Sequence, residues 1–298
     1  MEKWLKLPRA VTLASIALLA VLLLAAAARF GGPRIVDQAN QLGESLPAAI
    51  ESVRSGVMQV DWLRSYFDEA PSLERLLTPG SGIMGRITGI FSSAVGVILG
   101  GLFVLFVGIF VAANPGTYVG GALHLLAADR RERAREVLGL TGRALRWWLL
   151  GRLASMVVVG GLTLIGLLIV DIPLALILAL LAGLLSFVPI VGPVLAFVPA
   201  VLVGLLEGPL TALYVAIVYL AVQVLESNLI TPLIQKQAVF LPPGATLVAQ
   251  FLMAVLFGWI GLFLSTPLAV VVIVLVQTLY VEDVVGGQVT VLGQHGAA

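Results

Sequence analysis

From Gln237 to Val281 the chain carries no Asp, Glu, Lys or Arg. The same holds for residues 10–28, 87–128 and 208–225, and between Arg152 and Glu207 the only charge is Asp171. A helix that crosses a bilayer needs about 20 predominantly apolar residues, and these stretches reach or approach that length. Their apolar residues are continuous rather than alternating, which excludes the strands of a membrane barrel. Composition closes the soluble alternatives: 11% of residues are charged and 60% hydrophobic, against roughly 25% charged in a soluble domain. The fold class this predicts is all-α, a polytopic helical membrane protein.

The first apolar stretch follows a basic tail of Lys3, Lys6 and Arg9 and ends in Ala25–Ala28. It exceeds the apolar core of about 7–15 residues found in a signal peptide, so residues 1–30 are expected to be an uncleaved transmembrane anchor. Residues 31–88 differ in character. Apolar positions at Ala39, Leu42, Leu46, Ala49, Val53, Val60, Leu63 and Phe67 recur at helical spacing, the mark of an amphipathic helix. Pro47 is expected to split it, because proline is tolerated mainly in a first turn. The spacing is close to heptad, so a seam between copies in a homo-oligomer is the sharper expectation for this stripe, beside a plain helical cap.

Loop charge gives orientation. Residues 31–88 hold Arg34, Arg54, Arg64, Arg75 and Arg86 against Asp37, Glu44, Glu51, Asp61, Asp68, Glu69 and Glu74. This acidic excess places them outside. Residues 114–146 hold Arg130, Arg131, Arg133, Arg135, Arg143 and Arg146 against Asp129, Glu132 and Glu136. That basic excess belongs inside, as a cytoplasmic helical loop, with Trp147 and Trp148 at the interface. The domains expected are an anchor (1–30), an external amphipathic segment (31–88), a transport domain (89–283) and a cytoplasmic tail (284–298). Both termini are then cytoplasmic, in a prokaryotic plasma membrane.

Two apolar hairpins follow Leu149. One runs from Ile172 to Leu206 and is interrupted at Pro189, Gly192 and Pro193; the other spans about 245–281 and is interrupted at Gly258, Gly261 and Pro267. Each is either two full spans or one re-entrant loop. At one constant offset Pro173 falls on Pro242, Pro189 on Gly258 and Gly192 on Gly261. With a single span between them, the copies would enter from opposite faces, as in transporters built from inverted repeats.

Intramembrane charge is costly and marks candidate sites. Glu226 ends the 208–225 stretch in Gln223-Val224-Leu225-Glu226-Ser227-Asn228, ahead of a further break at Pro232. Its carboxylate is a candidate ion- or proton-binding group, or an interfacial residue paired with Lys236. Asn228 and Gln223 are candidate substrate-binding neighbours. Arg152 reads as a snorkelling interfacial residue or as a counter-charge to Glu226 or to substrate. Asp171 reads as a turn residue or a site acid. Ser186, Gln250 and Gln277 are polar positions in apolar helices, suited to helix–helix hydrogen bonds or to lining a path.

Catalysis finds little support. The chain has no cysteine, only His124 and His295, and no nucleotide fingerprint. No enzyme activity, metal or cofactor is expected. A net charge of +1 gives no basis for nucleic-acid binding. The expected partners are the lipid bilayer, a small solute or ion, and further copies of the chain.

The block Gly183-Leu184-Leu185-Ser186-Phe187-Val188-Pro189-Ile190-Val191-Gly192-Pro193 is familiar, as is the series Glu226, Asn228, Pro232, Leu241-Pro242-Pro243, Leu256-Phe257-Gly258-Trp259-Ile260-Gly261-Leu262 and Thr266-Pro267-Leu268. Together, over roughly 90–298, they resemble the autoinducer-2 exporter family of bacterial permeases, also called PerM-like. The resemblance implies a multi-span inner-membrane transporter. Some members are linked to export of the quorum-sensing signal autoinducer-2 and others to sodium/proton antiport. Members usually carry three spans before the external segment, and this sequence shows one, which keeps the same parity. The leading expectation is a secondary transporter exporting a small polar solute. A sodium/proton antiporter is the alternative within transport, and a non-transporting membrane scaffold the alternative outside it.

Overall fold

A computed structural model describes residues 32–57, 114–230 and 242–287, besides the single positions 29, 108 and 111. The anchor at 1–30, most of residues 58–113, Pro232, Lys236 and the tail from 288 lie outside the described residues. All described elements are helical. The chain divides into two compact units, residues 1–126 and 127–298.

In the first unit, α1 (Gly32–Val57) runs through Pro47 instead of stopping there. An internal proline costs a helix about 3 kcal/mol. Against this stand Leu42, Leu46 and Ala49, all buried. Each buried leucine contributes about 2 kcal/mol, so the covered face outweighs the lost hydrogen bond. That cover comes from within a single chain, so these three residues do not require a second copy. The second described helix of this unit is α2 (Pro115–His124), started by Pro115 at its first position.

The second unit opens with a 39-residue helix, α3 (Arg131–Ile169), about 58 Å long at 1.5 Å per residue. It therefore outruns an apolar bilayer core of about 30 Å. Residues 131–146, part of the helical loop expected at 114–146, are helical and continuous with the span that follows. Of the two tryptophans, Trp147 is exposed, whereas Trp148 is buried among Ala144, Val270 and Val274.

At Asp171 and Leu174 the backbone takes positive φ (57° and 64°), and the chain reverses into α4 (Ala175–Leu185). Here α4 lies against α3 through small residues. A Cβ on Gly160 would meet Ala179 O at 3.4 Å, and one on Gly183 would meet Met156 O at 2.9 Å. A second reversal, with Ile190 at φ 68°, leads into α5 (Val191–Glu207). Pro193 falls in the first turn of α5, where its missing donor costs nothing, so it starts that helix. Gly208 then turns the chain into α6 (Pro209–Leu225), which packs on α5 by Gly204 against Ala212 and by the edge-on rings of Phe197 and Tyr219. With 11 residues α4 is shorter than a full span, and α5, with 17, sits at the lower limit of one.

The last helix, α7 (Pro243–Leu275), is two arms. Gly258 has φ 62° and ψ −140° inside it. A Cβ on Gly261 would overlap the carbonyl oxygen of Met253. In a straight helix positions eight apart are separated by about 12 Å, so the chain folds back sharply at Gly258. Pro267 stays within the second arm and does not interrupt it.

The two tips share one device. Gly192 is pressed on Leu185 O as Gly261 is on Met253 O, each just after a residue with positive φ. The constant sequence offset pairs these glycines. The first hairpin springs from the Ile169 end of α3. The second hairpin's return arm ends beside the other end of α3, where Arg133 binds Asp283 at 2.7 Å and Glu282 at 3.0 Å. The hairpins thus enter from opposite ends of α3.

Burial is inverted relative to a soluble protein. Val157, Ile169, Phe251 and Ile260 are exposed, while Thr163, Ser186, Glu226 and Gln250 are buried. Exposed apolar surface on this scale is what a bilayer covers. The protein is a polytopic helical membrane protein.

Candidate transport site

The centre of the second unit is the tip of the first hairpin, residues 186–190. A helix reversal leaves carbonyls without their intrahelical donors, and in a membrane other protein groups must satisfy them. Two side chains from other elements do so. Arg152 Nε, on α3, donates to Phe187 O at 3.0 Å. Gln250 Nε2, on the first arm of α7, donates to Pro189 O at 2.6 Å. The ring of Phe187 is clamped between Trp148, edge-on at 5.7 Å, and Phe263 of the second α7 arm, stacked at 5.8 Å.

Arg152 is not a snorkelling residue here. Its Nη1 lies 3.4 Å from Glu226 Oε1, with side-chain exposures of 10% and 6%. One turn along α3, Ser155 Oγ donates to the same carboxylate oxygen at 2.9 Å. Glu226 follows α6 in a short π-helical turn, Glu226–Ile230, and such turns are frequent at functional positions. Isolated charges at this burial would be untenable. Paired and hydrogen-bonded, they form one neutral unit on the hairpin tip.

The other sequence candidates sit elsewhere. Asn228 is exposed, and its amide is bonded to Val224 O of its own helix at 2.9 Å. Gln223 is half-buried one turn before Glu226. Asp171 is exposed at the far end of α3 from Arg133, in the turn after Ile169. The structure therefore brings Arg152 and Glu226 together with Pro189, and leaves Asp171 and Asn228 outside. It adds Ser155, Phe187 and Gln250. Ser155 gave no sequence signal beyond ordinary membrane-helix content, and Phe187 only its place in the Gly183–Pro193 block. Gln250 did, as an amide in an apolar run.

The comparisons with known proteins bear on what this arrangement is for. The family model described as "AI-2E family transporter" matches residues 1–280. The chain belongs to that family. This AI-2E family member is 28% identical over 280 residues to YueF of Bacillus subtilis (strain 168), covering 90% of this chain and 76% of YueF, which is named as a transport protein. It is 23% identical over 245 residues to YrrI of the same organism, covering 80% of this chain and 69% of YrrI. Over 103 residues it is 39% identical to MT0215 of Mycobacterium tuberculosis, covering 34% of this chain and 28% of that protein. YrrI and MT0215 are also named as transport proteins. The family match begins at residue 1 and ends at residue 280, so the N-terminal apolar stretch belongs to the AI-2E transporter alignment as well.

Proposed function

We propose that this AI-2E family member is a secondary transporter that exports a small polar solute, such as a quorum-sensing signal, in exchange for protons. The observation that carries the reading is the buried Arg152–Glu226 pair seated on the tip of an interrupted hairpin. Protonation of the Glu226 carboxylate removes its negative charge and with it the pairing to Arg152. Ionised, the carboxylate and the guanidinium beside it together bind a polar solute. Proton and solute therefore compete for Glu226: protonation releases the solute, and loss of the proton lets the next one bind, as exchange requires. The tip's carbonyls move with Arg152, so pairing and hairpin position are linked.

Sodium/proton antiport is the second reading, favoured by the burial of Glu226. Arg152 weighs against it, because a sodium ion would have to displace a guanidinium already in place. A scaffold without a transport path would not need a polar link between the hairpins, and Gln250 to Pro189 O is such a link. The basic excess in 114–146 and the contact of Arg133 with Asp283 support a C-terminus on the cytoplasmic face of a prokaryotic plasma membrane. A homo-oligomer belongs to the proposal, with contacts outside Leu42, Leu46 and Ala49; a monomeric mass in nanodiscs would remove it.

The test is flux in proteoliposomes with autoinducer-2, and with radiolabelled sodium, under an imposed pH gradient. Glu226→Gln keeps shape and removes the charge. It is expected to abolish gradient-driven flux and its pH dependence while the protein still inserts. Normal transport by this variant at every pH would overturn the role of Glu226.

A further inference from the structure

Buried polar atoms are almost always paired, and each exception calls for an explanation. Gln250 is such an exception at the hairpin tip. Its residue is 1% exposed. Its Nε2 is committed to Pro189 O at 2.6 Å, and its Oε1 is buried with no hydrogen-bond partner among the described residues. The amide orientation follows from chemistry. A flipped amide would set two acceptor oxygens against each other at that distance. The unpartnered atom is therefore an acceptor, and what it lacks is a donor.

Among the described residues, the charge at this tip is balanced. Glu226 accepts from Ser155 and faces Arg152. Within the stretch from Arg152 to Glu207 the only other charge is Asp171, in the turn that follows Ile169. A cation placed near this tip meets a guanidinium and a carboxylate that is already neutralised. A neutral group carrying an O–H donor meets no such penalty and satisfies the orphan oxygen.

We propose that Gln250 is a specificity-determining residue of the transport site: Nε2 holds the hairpin tip at Pro189 while Oε1 accepts a hydrogen bond from a hydroxyl of an uncharged, hydroxylated solute. The proposal rests on the transport reading above and names the residue and the donor chemistry that select the solute. Gln250→Met keeps the length of the side chain and removes both functions. Gln250→Glu restores both when protonated, with an O–H for Pro189 O and a carbonyl for the solute; when ionised it keeps an acceptor for the solute and loses the donor to Pro189 O.

The experiment measures flux by the full chain in proteoliposomes with autoinducer-2 and erythritol as neutral hydroxylated probes and sodium as the cation probe. The expected result is saturable flux of at least one neutral probe. Its half-saturation concentration rises about tenfold in Gln250→Met, the scale of one lost hydrogen bond to the solute, whatever the loss of the Pro189 contact does to maximal flux. Gln250→Glu keeps the half-saturation value near that of the unsubstituted protein, and its maximal flux falls at high pH, where the donor to Pro189 O is lost. A merely structural role would, in Gln250→Met, lower the maximal flux or the folded yield and leave half-saturation unchanged, and that outcome overturns the proposal. So does a protein that moves only sodium. If the unsubstituted protein moves none of the probes, the transport reading fails and this inference falls with it. If it moves a neutral probe and Gln250→Met behaves identically, only this inference fails.

Discussion

Replacing Gly192 with alanine places a Cβ on the carbonyl oxygen of Leu185, and also within 3.3 Å of Ser186 N. Both neighbours are backbone, so no rotamer change relieves the overlap. The tip must open, and opening it disturbs the Pro189 and Phe187 carbonyls that Gln250 and Arg152 hold. Overpacking in a core costs about 1–3 kcal/mol when side chains can yield; here they cannot, so about 3 kcal/mol is the lower expectation. At roughly 2–4 °C per kcal/mol for a chain of this size, the apparent melting temperature falls by about 6–12 °C. Neighbouring glycines calibrate the effect. At Gly160 the added Cβ sits 3.4 Å from Ala179 O, and at Gly183 it sits 2.9 Å from Met156 O. At Gly161 it meets nothing within 4 Å, and alanine there gains helix propensity of up to about 1 kcal/mol. The expected order of loss is Gly192, then Gly183, then Gly160, with Gly161→Ala neutral or stabilised. Gly261→Ala should behave as Gly192→Ala, because its Cβ overlaps Met253 O and approaches Phe257 Cβ to 2.8 Å. The assay is thermal unfolding of the detergent-purified protein followed by tryptophan fluorescence. A Gly192→Ala protein that melts with Gly161→Ala would refute the tight tip and the reversal built on it.

Removing one member of a buried ion pair costs about 3–5 kcal/mol, so Arg152→Gln or Glu226→Gln alone should destabilise the protein in that range, and the double variant should recover a large part of the loss. Single variants that add up to the double would show that the two charges do not interact. Because the chain has no cysteine, single cysteines report sidedness directly. Cysteines at Arg135 and Val285 should label from the same face, since Arg133 binds Asp283, and one at Asp171 from the opposite face; a label pattern pairing Asp171 with Arg135 would sink this topology.

Much of the helical plan was legible because charge is excluded from a bilayer so strongly that its gaps mark the spans. The interruptions near Pro189 and Gly258 were legible for a similar reason: proline removes a donor, and glycine permits φ that other residues resist. What the sequence could not say is which interruption reverses the chain. Pro47 and Pro267 lie inside continuous helices, whereas the reversals at Ile190 and Gly258 depend on where Gly192 and Gly261 find a preceding carbonyl to pack on. Local backbone rules describe only what a residue permits, and packing chooses among the permitted forms. Glu226 and Arg152 were visible as charges in apolar surroundings, because every such charge needs a partner. That they partner each other, on helices separated by the whole first hairpin, is a property of how α3 and α6 flank that hairpin. Asn228 stood beside Glu226 in the sequence and faces outward, while Gln250 stood far from it and meets the same hairpin tip. Sequence proximity fixes the helix a side chain rides on; only the three-dimensional packing of the hairpins decides which polar groups share a dry centre.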